Sequence, residues 1–264
     1  MKLWFSALIL CLAPLNAASA GEATHRVGVS VITDWETVLY YGSPEVTKQV
    51  IDDRMDEVKN IYKRELGLDV IVDVLQIPTS ADTDFIPKDT NPNTLLIRVS
   101  SYREQNPELY ATAITVLVTS RTLTQNKEGI AQVNGLCSSG SVAIATTVKD
   151  KLADAILISH EMGHVFGATH DGEGDSSCPS ESAAHVMGNV GYNFTYDTFS
   201  ECSKTVIKKS FDKTCVEPVN LPLPTPTVDN TPASTGKSGG GGGSMEWGIL
   251  LMLGLLATKK LRHA

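Results

Sequence analysis

The sequence lacks an excess of positive charge. It has 22 Lys and Arg residues against 30 Asp and Glu residues, which gives a formal net charge of −8 over 264 residues. A protein that binds nucleic acid usually presents a basic surface, so this balance argues against a nucleic-acid partner. The chain also lacks an internal repeat, and its length allows one sizeable domain with flanking segments.

The first 20 residues have the pattern of a segment that is removed on export. Lys2 supplies a positive start, residues 3–15 are apolar, and Ala18-Ser19-Ala20 fits a small-residue cleavage site. A buried core helix has a similar composition, but the position next to Met1 favours export. We therefore predict a signal peptide at residues 1–20, signal peptidase as a partner, and a protein that is secreted or held at the cell surface.

Cysteine is scarce, and no two cysteines have C-x-x-C spacing. Four remain after the signal peptide: Cys137, Cys178, Cys202 and Cys215. An even number in an exported protein suggests two disulfides, for which three pairings are possible. Four thiols could also hold a structural metal, but the missing C-x-x-C pairs make that interpretation weak.

Residues 21–219 are predicted to form one domain. Val and Ile alternate over His25–Thr33 as in a strand, and Ser43-Pro44-Glu45 is typical of a helix start, with Gly67 able to end the helix. Alternating strands and helices favour an α/β or α+β sheet domain. The other predicted elements are strands at 70–75, 113–119 and 141–147, a short edge strand at 129–136, and helices at 94–103 and 151–166.

The C-terminal 45 residues differ in composition from this domain. Prolines interleaved with Thr and Ser, followed by a glycine run, predict a linker at residues 220–244. Residues 245–264 are predicted to be a short hydrophobic helix with a basic end. Its apolar part is shorter than the roughly 20 residues that span a bilayer comfortably, so both a sorting signal and a transmembrane tail anchor remain open.

The most informative stretch, residues 160–171, reads HEMGHVFGATHD. His160 and His164 are four apart, so a helix places both on one face, where they can bind one ion. Glu161 cannot easily bind that ion with them, but it can reach a water on it. Gly167 can adopt a positive φ, end the helix and return His170 to the metal as a third ligand.

Three neutral imidazoles leave a fourth coordination position open for water, which is typical of a catalytic zinc ion. Nitrogen ligands suit Zn²⁺ better than calcium or magnesium. Zinc lowers the pKa of its water and polarises a carbonyl, and Glu161 would act as the general base. The alternative, a helix with two solvated histidines and a satisfied third, does not account for the full spacing.

The string H-E-x-x-H-x-x-G-x-x-H identifies the chain as similar to the metzincins. Asp171, which follows the third histidine, resembles the adamalysin (reprolysin, ADAM-like) branch of metalloproteases. Further resemblances are Gly129 to Cys137 as edge strand and first cysteine, His185-Val186-Met187-Gly188 as a Met-turn, and residues 199–203, which read FSECS. The resemblance covers roughly residues 25 to 217.

This resemblance implies a metzincin zincin fold at residues 21–219: a twisted mixed sheet with an antiparallel edge strand, an active-site helix and an irregular C-terminal subdomain. It implies the disulfides Cys137–Cys215 and Cys178–Cys202, and it places Met187 in the hydrophobic floor under the metal. An extended substrate would pair antiparallel with the edge strand, whose residues are Gly129, Ile130, Ala131, Gln132 and Val133.

The chain also departs from the family pattern. The first strand begins almost directly after Ala20, so we expect no propeptide. Gly28 and Pro218 occupy the places of an acid and an asparagine that hold calcium in the family, so calcium binding is not expected. A third disulfide of many members has no counterpart among these cysteines, and we expect no disintegrin region.

The tail resembles the GlyGly-CTERM sorting signals of Gram-negative bacteria. That resemblance implies a bacterial protein and a rhomboid-like protease that cuts near the glycines, with a mature C-terminus near residues 239–244.

The sequence thus predicts a secreted zinc endopeptidase, monomeric, acting on extracellular proteins or peptides. Two alternatives remain: a surface-displayed zinc-binding protein without turnover, and a zinc amidase acting on a non-protein substrate. The presence of Glu161 favours an enzyme, because a binding module would not need a general base.

Overall fold

Six strands form a mixed sheet at the centre of the computed structural model, which describes residues 22–86, 88–188 and 195–219. The strand order is β2-β1-β3-β5-β4, and β6 pairs with the free half of β1. Pairing is parallel except that β4 runs antiparallel to β5 and β6 antiparallel to β1. The strands are β1 (His25–Thr33), β2 (Leu68–Gln76), β3 (Ile114–Thr119), β4 (Gly129–Ala131), β5 (Val142–Thr146) and β6 (Val216–Pro218).

Helices cover both faces of this sheet. They are α1 (Trp35–Tyr41), α2 (Pro44–Leu66), α3 (Pro92–Gln105), α4 (Pro107–Ala111), α5 (Lys151–Val165) and α6 (Glu201–Lys208). This architecture confirms the predicted α/β (α+β) class with an antiparallel edge strand. Between α5 and α6 the described chain is irregular, as the resemblance implied. Within the described ranges, no helix is both long and apolar enough to cross a membrane.

The strand alternation divides the core between two layers of helices. Val29, Val116 and Ala143 point into a cluster formed with α2 and α5. Their neighbours along the chain, such as Leu117 and Ile144, point into a second cluster with α3 and α4. Successive strand side chains alternate between faces, so one apolar run supplies both cores of a three-layer α/β/α arrangement.

The predicted boundaries of α2 are confirmed in detail. The Ser43 side chain accepts a hydrogen bond from the Val46 N–H, and Gly67, with φ 68°, ends the helix in the left-handed region. The other predicted strands and helices are also present, within a few residues of their expected bounds. Among the α-helices and strands of the described residues, four were not predicted: α1, α4, α6 and β6. Each is short, and short segments carry little periodic signal.

The edge strand is shorter than predicted. β4 ends at Ala131 and not at residue 136, so Gln132 and Val133 lie beyond it. The Gln132 N–H still donates to Val142 O (3.1 Å), but its carbonyl accepts from Gly135 N (3.1 Å) in a turn. Asn134 in this turn has φ 58°. A left-handed residue breaks a strand, which is why the pairing does not continue.

Helix α5 is enclosed between the sheet and α2. Every residue of α5 from Asp154 to Val165 is buried. The Tyr62 hydroxyl of α2 donates to Ser159 O (2.9 Å), and Arg54 forms a buried ion pair with Asp154 (3.2 Å). A helix that is buried on all sides has little freedom to shift, so it is a rigid support for side chains at its C-terminal end.

The predicted signal peptide (1–20), linker (220–244) and hydrophobic segment (245–264) lie outside the described residues.

Candidate active site

Three histidine side chains converge at the C-terminal end of α5. His160 and His164 lie one turn apart on the helix. Gly167, with φ 107°, turns the chain back so that His170 reaches the same point. The Nε2 atom of His164 lies 3.1 Å from Nε2 of His160 and 3.2 Å from Nε2 of His170. The structure thus brings together the three histidines that the sequence singled out.

The other ring nitrogen of each histidine faces a hydrogen-bond acceptor. His160 Nδ1 lies 2.6 Å from Val186 O and His164 Nδ1 lies 2.8 Å from Ala168 O. Because a carbonyl oxygen can only accept, both Nδ1 atoms carry the proton. Their Nε2 atoms therefore keep a free lone pair, which is the form that binds a metal.

These donors fit a zinc ion. At Zn–N distances near 2.0–2.1 Å, tetrahedral geometry separates two nitrogens by about 3.3 Å, close to the observed spacings. Two lone pairs that face each other at 3.1 Å repel unless a cation lies between them. Burial lowers the pKa of His160 to about 3 and that of His164 to about 4, so both rings are neutral near pH 7.

Glu161 lies next to this cluster in a close-fitting environment. Its side chain is packed against Gly129 of β4, where an added Cβ would lie 2.6 Å from Glu161 Cδ. Glu161 is 5% exposed, and its Oε2 atom is buried without a hydrogen bond to any described residue. Burial raises the pKa of this carboxyl to about 8, an effect that the charge of Lys127 partly offsets.

A cleft of about 470 Å³ runs past these groups. Gly129, Ile130 and Ala131 of the edge strand line one wall together with Val133. The segment after the histidine helix lines the opposite wall with Thr169, His170, Glu173, Asp175 and Ser176, and Glu161 and His164 also face the cleft. The edge strand and the histidine cluster therefore share one binding groove.

Met187, the predicted floor of the site, lies beneath α5 next to Gly163. It is fully buried, and a Cβ added to Gly163 would overlap its Sδ atom. Two backbone carbonyls of the same turn accept hydrogen bonds from residues of the site. Val186 O faces His160 Nδ1, and Met187 O accepts from the N–H of Asp171, the residue after His170 (2.8 Å). The Met-turn therefore supports the histidines through its backbone as well as through the methionine side chain.

The disulfides join Cys137 to Cys215 and Cys178 to Cys202, the two pairs that the resemblance implied. The second one ties the segment after His170 to the start of α6. Asp171 Oδ1 strengthens this link, because it accepts from Ser200 Oγ (3.1 Å) and Ser203 Oγ (2.7 Å).

Sequence reasoning missed several supporting groups. Asn134 N donates to His164 O (2.9 Å) and Leu136 N donates to Val165 O (3.2 Å), so the turn after β4 caps the end of α5. Glu173 Oε1 lies 3.1 Å from His170 Nδ1. The capping turn has no local signal, whereas an acid three residues after a ligand histidine could have been noticed.

The mixed sheet, the buried helix and the three-histidine cluster define the metzincin fold with a site that can hold one metal ion. The sequence model described as Reprolysin (M12B) family zinc metalloprotease matches residues 26–217, which is most of the chain. The chain belongs to the reprolysin (M12B) family, and at the family level it is a zinc-dependent protease.

Individual relatives are distant. The human (Homo sapiens) protein named "A disintegrin and metalloproteinase with thrombospondin motifs 14" is 26% identical in an alignment of 219 positions that covers 78% of this chain and 18% of that protein. A Bombyx mori protein named "A disintegrin and metalloproteinase with thrombospondin motifs 1" is 27% identical in an alignment of 187 positions that covers 67% of this chain and 18% of its own length. The chain thus spans under a fifth of these two relatives. "Venom metalloproteinase antarease-like TserMP_B" of Tityus serrulatus is 26% identical in an alignment of 211 positions that covers 70% of this chain and 85% of the relative.

Proposed function

We propose that this chain is an exported zinc endopeptidase in which His160, His164 and His170 hold the ion and Glu161 is the general base. One observation carries the proposal: a buried carboxylate whose Oε2 has no hydrogen-bond partner among the described residues lies in the same cleft as His164 and His170, two of the three convergent imidazoles. A buried polar atom without a hydrogen bond lowers the stability of the fold. A role as general base accounts for the presence of this carboxylate.

Bound zinc would supply a Lewis acid that polarises the scissile carbonyl and acidifies a water. Glu161 takes a proton from the attacking water as the oxygen adds to the carbonyl carbon. It then delivers a proton to the leaving nitrogen as the C–N bond breaks. The burial of Glu161 favours its protonated form, and the charge of the ion opposes that effect, so the group is suited to both steps.

The outer edge of β4 is the proposed docking site for the substrate backbone. Residues of an antiparallel strand alternate between hydrogen bonding to one side and to the other. Thr146 N of β5 donates to Glu128 O, and Gln132 N donates to Val142 O of β5. The backbone groups of Glu128 and Gln132, the residues on either side of β4, therefore face β5. The backbone groups of Gly129 and Ala131 therefore point toward the cleft.

An extended peptide can add to that edge as a further antiparallel strand. The N–H of Gln132 is already used within the sheet, whereas Val133 lines the cleft. The proposed pairing thus uses the outward-facing backbone groups of Gly129 and Ala131, and the N–H of Gln132 takes no part in it.

The decisive variant is Glu161→Ala. We expect it to retain one zinc ion per chain and to lose peptide cleavage by at least about 100-fold, the usual contribution of a positioned general base. Cleavage is measured on casein and peptide libraries, and zinc by elemental analysis. Glu104→Ala, the same substitution at an exposed helical position, is the matched control and should behave like wild type.

The same experiment separates the alternatives. Wild type that binds zinc but leaves every protein and peptide intact would be a zinc-binding protein without turnover or an amidase on a non-protein substrate. Cleavage that survives in Glu161→Ala would assign the base to another residue. Profiling of cleavage sites, with a chelator control, then defines the substrate preference.

Export is the proposed setting for this activity. Two disulfides support an oxidising compartment, in agreement with the predicted signal peptide at residues 1–20. We propose signal peptidase and a rhomboid-like sorting protease as processing partners, with residues 245–264 as a sorting signal or tail anchor. The catalytic domain at residues 21–219 is proposed to act as a monomer.

A further inference from the structure

His170 differs from the other two histidines in the group that its Nδ1 atom faces. His160 and His164 direct Nδ1 at backbone carbonyls, whereas His170 directs Nδ1 at a carboxylate, with Glu173 Oε1 at 3.1 Å. The environment differs as well. The His170 side chain is 25% exposed, while His160 and His164 are both buried.

The local chain geometry accounts for this contact. Gly172 has φ 79°, a left-handed conformation that glycine adopts without strain. It turns the chain so that the residue three positions after His170 comes back beside the ring. The turn is anchored, because Gly172 N donates to Cys178 O (3.0 Å) and Cys178 is bonded to Cys202.

The rest of the loop is also held in place. Ser176 N donates to Glu173 O (3.0 Å), and Ser177 N donates to the hydroxyl of Thr169 (2.7 Å), the residue before His170. Glu173 therefore extends from an ordered turn. Its carboxylate remains 46% exposed, so the ion pair contributes little to folding.

We propose that Glu173 is a positioning residue for the third metal ligand. Its carboxylate accepts the Nδ1–H of His170, which places the lone pair on Nε2 and orients the ring toward the ion. Carboxylates paired with ligand histidines in this way strengthen metal binding. The inference rests on the zinc site of the proposed function and is independent of turnover.

The exposure of His170 explains why a carboxylate is needed there. His160 and His164 are buried and direct Nδ1 at backbone carbonyls, so their rings have little freedom to reorient. At the cleft wall, water competes with any protein acceptor for the Nδ1–H of His170. A neutral protein acceptor would compete only weakly with water for this N–H. A charged acceptor forms a hydrogen bond about twice as strong as a neutral one, which compensates for the missing packing.

Zinc affinity of the full chain is the direct test. Metal is removed with a chelator, and the zinc dissociation constant is measured by competition with a chromophoric chelator. Glu173→Ala should weaken zinc binding by about 10–100-fold. Glu173→Gln keeps an oxygen that can accept from Nδ1 but loses the charge, so its affinity should fall between those of wild type and Glu173→Ala.

Two further measurements separate positioning from a general charge or folding effect. Asp175→Ala removes a carboxylate of the same loop and cleft wall, and it should leave zinc affinity within about 2-fold because exposed charges are screened. The visible spectrum of the cobalt-substituted protein should shift in Glu173→Ala and match wild type in Asp175→Ala. The melting temperature of the metal-free protein should be the same in all variants.

Wild-type zinc affinity together with a wild-type cobalt spectrum in Glu173→Ala would overturn the inference. An equal loss of affinity in Asp175→Ala would also overturn it, by showing that the net charge of the cleft is responsible. Failure of the proposed function looks different: a wild-type chain that binds zinc tightly, depends on Glu173 for that affinity and cleaves no peptide.

Discussion

At the scale of single residues, burial acts in opposite directions on the groups of the site. It lowers the pKa of His160 and His164, because a buried imidazole is less stable when charged, and it raises the pKa of Glu161 for the same reason. All three groups therefore tend toward their neutral forms. Neutral imidazoles are ready to bind a metal, whereas the carboxylate depends on a nearby positive charge to remain ionised.

The stability of the metal-free protein should consequently depend on pH with a maximum near 6.5. Unfolded histidine titrates near pH 6.5, whereas folded His160 and His164 titrate near 3 and 4, so the unfolded chain binds more protons below about pH 6.5 and stability falls with acid. Glu161 has the opposite sign. Its folded pKa of about 8 exceeds the ordinary 4.5, so its contribution to stability falls as the pH rises toward 8.

Urea midpoints of chelator-treated protein between pH 4 and 9 would measure this profile. Glu161→Gln should remove the decline between about pH 6.5 and 8 and retain the acid-side loss. A decline above pH 6.5 that is unchanged in Glu161→Gln would assign the effect to another group.

At the scale of elements, α5 and the Met-turn form one packed unit. Gly163 faces Met187, and the absence of a side chain at Gly163 lets the methionine lie directly against the helix backbone. The Met-turn carbonyl that accepts from His160 belongs to Val186, the adjacent residue. The packing of Met187 against Gly163 thus determines the distance between α5 and the Val186 carbonyl.

Gly163→Ala tests this packing. In an exposed helix the change would stabilise by roughly 0.5–1 kcal/mol, but here the added methyl group overlaps Met187 Sδ, and overpacking costs about 1–3 kcal/mol. We expect net destabilisation in urea unfolding of the metal-free protein. The double variant Gly163→Ala/Met187→Ala should show a favourable coupling energy, because the second change removes the overlap. A Gly163→Ala protein that is more stable than wild type would show that Met187 can move aside freely.

The two ends of the edge strand β4 differ in how far the sequence predicts them. Its start was predictable, because Gly129 begins a run with strand character. Its end was not, because a left-handed residue at Asn134 and a hydrogen bond to α5 determine where pairing stops. Those interactions join segments some 30 residues apart along the chain.

At the scale of the whole molecule, the two disulfides close loops of very different length. Cys137 and Cys215 are separated by 78 positions, and Cys178 and Cys202 by 24. The longer link joins the turn that caps α5 to the segment before β6, and Lys213 Nζ donates to Asn134 Oδ1 (3.1 Å) beside it. The C-terminal part of the described chain therefore reinforces the support of the active-site helix.

Removing the longer link should cost more stability. In the chain-entropy model the loops closed by Cys137–Cys215 and Cys178–Cys202 correspond to about 4.5 and about 3.5 kcal/mol. The paired variants Cys137→Ala/Cys215→Ala and Cys178→Ala/Cys202→Ala, compared by urea unfolding with zinc removed, should differ by about 1 kcal/mol. The reverse order would mean that local strain or residual structure outweighs loop length.

The sequence by itself determined the fold class, most of the long elements and the candidate zinc ligands. Each of these depends on local spacing: period 2 in β1, capping residues at both ends of α2, and histidines at helical intervals in residues 160–170. Short-range geometry of this kind is written directly in the order of the residues.

Tertiary structure decided what surrounds the ligands. The carbonyls of Val186 and Ala168, the Gly129 contact that confines Glu161 and the cap on α5 come from separate segments brought together by packing. Backbone carbonyls belong to every residue, so no residue type marks their position in advance. The burial that shifts the pKa of Glu161 likewise exists only once the sheet, α2 and the Met-turn enclose α5.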